Sequence, residues 1–239
     1  MSKNLSELLQ SNAYPGRGIV LGCSEDGEKA YAAYFIMGRS ANSRNRVFSL
    51  TGEELVTEAA DPAGVEDPSL ILYRAVRRYE NRLIITNGDQ TDTVYEGFEA
   101  GKGFAEALEQ RTFEPDAPNY TPRISGLLTS VDGAFSYELS ILKSAGGNPE
   151  SAQRFFYRYA QPLAGEGHFI HTYKNDGNPL PSFCGEPVTV AVKGTAREFG
   201  QMIWNSLNEE NKIALYVCEV SRSGEGQAFV LNKYSKVTA

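Results

Sequence analysis

The feature that most limits the folds open to this chain is the distribution of its short apolar runs. Segments rich in Val, Ile, Leu, Phe and Tyr recur between turn-forming residues at Gly18–Cys23, Lys29–Met37, Arg46–Leu50, Leu70–Val76, Leu83–Thr86 and Arg123–Thr129. They continue at Phe135–Lys143, Arg154–Gln161, Gly167–Tyr173, Val188–Val192, Ile213–Val220 and Ala228–Tyr234. Each is the length of a strand. The first two flank Ser24-Glu25-Asp26-Gly27, whose Asp-Gly pair signals a hairpin. Helical spacing is rarer: Asn4–Gln10, Thr93–Ala100, Gly103–Gln110 and Ala196–Leu207. The last opens on the capping box Thr195-Ala-Arg-Glu198. Helices that cluster instead of alternating with strands predict an α+β fold and not a doubly wound sheet.

Bulk properties exclude several function classes. The chain has 239 residues, 41% of them hydrophobic and 22% charged, which is enough for a full core. No internal repeat or low-complexity linker divides it, so one domain over 1–239 is expected; Asn175–Ser182 reads as a loop. A net charge of -7 argues against nucleic acid as partner, since such proteins carry a basic face. One small phosphorylated substrate needs only a few local arginines. Cys23, Cys184 and Cys218 match no zinc spacing and suit a reducing compartment. The first residues lack a signal-peptide core, and no apolar run approaches the roughly 20 residues that span a bilayer. A cytoplasmic location and no membrane partner are expected.

The common catalytic signatures are missing: no phosphate loop, no dinucleotide fingerprint, no nucleophile elbow. His168 and His171 are the only histidines, and on a strand they point to opposite faces, a poor arrangement for a shared metal. Three polar segments have more to offer. Gly38–Arg46 holds Arg39, Ser40, Arg44 and Arg46 with no acidic residue among them. Guanidinium forks match phosphate oxygens in bidentate geometry, although a solvated basic turn would look the same. Thr86–Thr93 carries Asn87 and Asp92 between a strand and a helix, as a cap or as donors to a heterocycle. Phe113–Ile124 sets Glu114 and Arg123 on proline-stiffened backbone, either as site material or as a plain surface connection.

Taken in order, these segments resemble one family, the archaeal-type inosine monophosphate (IMP) cyclohydrolases. The residues that carry the likeness are Tyr14-Pro-Gly-Arg17, Arg39-Ser40 with Arg44, Leu72-Tyr73-Arg74, Thr86-Asn87-Gly88 with Thr91-Asp92-Thr93, Thr121-Pro-Arg-Ile124 and His171-Thr-Tyr173. The resemblance runs from Tyr14 to Tyr216. It leaves residues 1–13 as an extra N-terminal helix and 217–239 as extra C-terminal strands. It implies a four-layer αββα sandwich like that of N-terminal nucleophile hydrolases, with no metal or organic cofactor, and self-association into a homo-oligomer. It also implies closure of 5-formamidoimidazole-4-carboxamide ribonucleotide to inosine monophosphate and water in purine synthesis. On that basis the catalytic set is Tyr73, Glu114 and Arg39, and the substrate-binding set is Arg17, Ser40, Arg44, Asn87, Asp92 and Arg123. Arg46 is left as the start of a strand, and Cys23 as an ordinary buried or turn residue. A nucleotide-binding homologue without turnover and an amidohydrolase of the same fold are the alternatives.

Overall fold

Strand pairing carries most of the architecture. The computed structural model describes residues 2–65 and 72–236. Among these, thirteen strands form two antiparallel sheets. The six-stranded sheet holds β1 (Arg17–Cys23), β2 (Lys29–Met37), β10 (Glu166–His171), β11 (Val188–Ala191), β12 (Lys212–Ser221) and β13 (Gly226–Asn232). Its spatial order is β11-β10-β1-β2-β12-β13. The seven-stranded sheet is a meander in chain order: β3 (Val47–Thr51), β4 (Glu54–Glu58), β5 (Tyr73–Tyr79), β6 (Arg82–Thr86), β7 (Arg123–Val131), β8 (Ala134–Ala145) and β9 (Asn148–Tyr159).

Side-chain alternation explains how the sheets stack. Ile19, Leu21, Tyr34 and Ile36 of the first sheet meet Leu55, Val76, Ile85, Ile124 and Leu139 of the second in one buried cluster. Residues of opposite parity on β1 and β2, such as Val20, Phe35 and Met37, pack outward against α1 (Leu5–Gln10) and α5 (Ala196–Ser206). On the far face of the second sheet Ile84, Leu127 and Leu142 pack on α3 (Gln90–Glu99) and α4 (Phe104–Leu108). Strands β1 and β2 are therefore buried on both faces, which is why their sequences are almost continuously apolar.

The mixed α/β class and the two sheets follow the sequence reading, with local differences. Strand β4 was not expected; its inward positions are Leu55 and Thr57, and a polar residue facing the core hides the alternation. Strand β9 begins at Asn148, six residues before the expected start, because an exposed edge strand is held by its pairing to β8 and needs no apolar pattern. Of the expected strand Leu70–Val76, Leu70 and Ile71 lie outside the described residues. The arginine-rich loop contains one helical turn, α2 (Ala41–Arg44). Among the described residues no helix is long and apolar enough to cross a membrane.

The two histidines do face opposite ways. His168 stacks on Tyr159 at 3.7 Å and shares a 2.7 Å hydrogen bond with the Tyr137 hydroxyl between the sheets. His171 lies between Phe169 and Phe183, its Nδ1 2.8 Å from the Tyr173 carbonyl. Burial lowers the pKa of each to about 4. A folded-state pKa below the unfolded value means that the unfolded chain binds protons first, so the neutral rings stabilise the fold above pH 6.5. That contribution is lost as pH falls from 6.5 toward 4. Thermal denaturation across this window should show a falling midpoint, with a shallower slope in His168→Asn than in the parent.

Candidate active site

One end of the space between the sheets is polar, and it gathers residues far apart in the chain. Arg17 is the first residue of β1, and Tyr73 the first of β5. Glu114 sits in the connection between α4 and β7, its backbone N–H bonded to the Thr121 carbonyl at 2.9 Å. The Tyr73 hydroxyl is 2.8 Å from that of Tyr34, reaching across from the facing sheet. Tyr14 stacks on Tyr173 at 5.8 Å, and the Tyr173 hydroxyl is 2.5 Å from Thr121 Oγ1. Thr121 also donates to Asp116. Gly16 permits this packing: it has φ +82°, and a Cβ there would lie 2.3 Å from Thr172 Oγ1 and 2.5 Å from the Tyr173 ring.

Arg17 and Glu114 have an unusual relation. Glu114 is only 3% exposed, yet burial and neighbouring charges alone act on its carboxyl, with no hydrogen bond and no ion pair to Arg17 among the described residues. Arg17 in turn has a buried Nε with no partner. Each still feels the other. Burial opposes the charge on Arg17, but Glu114 and the surrounding phenols outweigh it and raise its pKa well above the ordinary value. Burial pushes the Glu114 carboxyl above its usual range against the pull of Arg17, Arg123 and Arg46. The opposite charges thus act on each other with no ion pair between them among the described residues.

The wall beside Glu114 is built from the Asn-Gly segment. Arg123 Nη1 donates to Asp89 Oδ1 at 2.6 Å and to Gln90 Oε1 at 2.8 Å. Asn87 donates to the Pro122 carbonyl at 2.9 Å, and its Oδ1 accepts from Ile124 N at 2.8 Å and Gln90 Nε2 at 2.9 Å. A Cβ on Gly88 would come within 2.6 Å of Arg123 Nη1, so the glycine makes room for the guanidinium. Asn87 therefore holds Arg123 in place with bonds that are already committed.

The remaining expected residues are placed differently. Arg39 lies at the exposed rim, its guanidinium over the Tyr14 ring at 4.9 Å and paired with Asp176. The Ser40 hydroxyl caps α2, accepting from Ser43 N at 3.1 Å. Arg44 Nε donates to the Gly38 carbonyl at 3.2 Å. Asp92 is not with the others: it pairs with Arg77 at 2.9 Å and Arg74 at 3.5 Å on the helix-bearing face of the seven-stranded sheet. Arg46 is the converse case. Set aside on sequence, it is fully buried beside Arg17, Tyr34 and Tyr73. Tyr34 was also missed, because a tyrosine inside an apolar strand reads as core. Cys23 is buried at the end of β1. Among the described residues no group of three His, Cys, Asp or Glu side chains could hold a metal ion.

A family model described as "IMP cyclohydrolase-like protein" matches residues 14–225. The match leaves out α1 and runs on past Val217 through β12. The chain is 30% identical over 163 residues to the IMP cyclohydrolase of Methanopyrus kandleri, covering 67% of this chain and 75% of that protein. It is 30% identical over 120 residues to that of Methanothrix thermoacetophila, covering 48% and 58%. A longer alignment, to the IMP cyclohydrolase of Haloquadratum walsbyi, is 25% identical over 223 residues and covers 90% and 94%.

The scaffold reading makes two predictions. Asn87→Ala strands the buried Ile124 N–H and releases Gln90, and should cost about 1–3 kcal/mol in urea unfolding. Gly16→Ala should cost about 1–3 kcal/mol through backbone strain, besides the clash with Tyr173.

Proposed function

Because the chain belongs to the IMP cyclohydrolase-like family, we infer that it closes the purine ring of 5-formamidoimidazole-4-carboxamide ribonucleotide, giving inosine monophosphate and water. The observation that carries the reading at residue level is the unjoined pair of half-buried Arg17 and buried Glu114, with Tyr73 among the groups that act on Arg17. In the reaction the carboxamide nitrogen bonds to the formyl carbon while the carbonyl π pair moves onto the formyl oxygen. The attacking nitrogen and the formamido nitrogen each give up one proton. The oxygen takes up two and leaves as water.

An amide nitrogen is a weak nucleophile, so holding the two arms of the substrate together contributes much of the acceleration. Proton transfer needs a base and an acid. Glu114, buried with no hydrogen bond to its carboxylate, is the base for the attacking nitrogen. Tyr73 delivers a proton to the departing oxygen and is resupplied through the Tyr34 hydroxyl at 2.8 Å. Burial keeps Tyr34 well above its ordinary pKa and so neutral as a donor. Arg17 faces the oxygen on which negative charge develops. Arg39 at the rim, with Ser40 and Arg44 on the same segment, receives the phosphate; Asp176 is the partner it exchanges or shares. Arg123, fixed by Asn87, orients the base or ribose, and Asp92 acts at a distance, through β5. The helix–sheet–sheet–helix order supports a single domain of the N-terminal nucleophile hydrolase type, used without a processed nucleophile. Self-association and a cytoplasmic location complete the proposal.

The test incubates folded protein with the formamido nucleotide and follows purine absorbance; no turnover above background contradicts the reading. Glu114→Gln and Tyr73→Phe should each lower kcat by about 10²–10⁴ while nucleotide affinity changes little. With Glu114 active as the anion and its pKa raised, kcat/KM should fall as pH drops through a value above the ordinary 4.5. That limb should vanish in Glu114→Gln.

A further inference from the structure

Arg46 has 0% exposure and is the largest fully buried side chain among the described residues. Two of its three nitrogens are tied to backbone. Nε donates to the Ser43 carbonyl at 2.7 Å and Nη2 to the Met37 carbonyl at 3.0 Å. The third, Nη1, is buried with no partner. Among the described residues no acidic group pairs with the guanidinium or is among those that act on it. The groups that face it are Arg17 from β1, Tyr34 from β2, Tyr73 from β5 and Tyr14 from the segment before β1. Of the arginines that favour the Glu114 carboxylate, Arg46 does so least, after Arg17 and Arg123.

A buried cation beside a second cation, with one donor unused, is costly as it stands. Two carbonyls from different segments nevertheless lock the guanidinium in that position. Such an arrangement becomes favourable when negative charge appears nearby, since fixed donors in a site shielded from water need no reorganisation at that moment. Arg46 is wholly buried with Tyr34 and Tyr73 among the groups that act on it, whereas Arg39 lies exposed at the rim. Its burial fits an electrostatic role at the reacting end and not a first encounter with phosphate.

We propose that Arg46 is a positioning residue for the ring closure: its locked guanidinium, with Arg17, stabilises the negative charge that develops beside Tyr73. The inference rests on the cyclohydrolase reading above, and its failure is separable from failure of that reading. Steady-state kinetics on wild type, Arg46→Lys and Arg46→Gln decide it, using variants shown to be folded by circular dichroism. Arg46→Gln should lower kcat by about 10–10³ with KM within a few fold of wild type, because charge that appears only in the transition state affects kcat and not ground-state binding. Arg46→Lys keeps the charge but not the fork, and should recover part of the loss. Wild-type kcat in folded Arg46→Gln, or a change confined to KM, overturns the proposal. If Arg46→Gln does not fold, Arg46→Lys decides alone: a kcat between wild type and one-hundredth of it at unchanged KM supports the role, and kinetics equal to wild type overturn it. An inactive wild type overturns the cyclohydrolase reading instead.

Discussion

Charge held between two apolar sheets is the constraint on which the rest of this structure turns. A guanidinium or carboxylate taken out of water costs several kcal/mol even after the protein relaxes. Here Arg46 and Glu114 are buried and Arg17 half-buried at one end of the sheets, and among the described residues none of them forms an ion pair with another. Local structure offsets only part of the cost, through the carbonyls that bind Arg46. The extensive inter-sheet cluster provides the remaining stability. An arrangement so poorly satisfied alone is suited to a ligand that supplies the missing partners.

Topology explains how the residues meet. The two sheets face one another with β1 and β2 central in one and β5 to β7 central in the other, so the start of β1 lies opposite the start of β5. The connection carrying Glu114 enters β7 from the same end. Behind these groups runs a set of bonds with no chemistry of its own. Asn87 ties the start of β7 to the turn before α3, Asp89 and Gln90 hold Arg123, and Thr121 links Asp116 to Tyr173. Asp89 caps α3 with no side-chain bond because its carboxylate is taken by Arg111 and Arg123. The helix gives up a cap to fix the site.

Much of the fold was legible in the sequence, because strands buried on one or both faces leave apolar runs and α5 announces itself with a capping box. What escaped was β4, where buried Thr57 breaks the apolar alternation, and the first half of β9, which is held by its pairing to β8. The candidate site was legible where polar residues stand in segments with no other use, as Glu114 and Arg123 do. It was obscured where two roles share a residue type. Tyr34 looks like core, and Arg46 looks like a basic strand entry until the fold buries it. Asp92 shows the opposite limit: a residue inside a family motif turns out to bind Arg74 and Arg77 on the outer face.

The central claim is that the unjoined Arg17–Glu114 pair marks the place where the purine forms. A crystal structure with inosine monophosphate bound tests it most directly. The account predicts the base between Arg17 and Glu114, within hydrogen-bond reach of Tyr73, and the phosphate toward Arg39 at the rim. A nucleotide bound elsewhere, out of reach of Arg17 and Glu114, would contradict it.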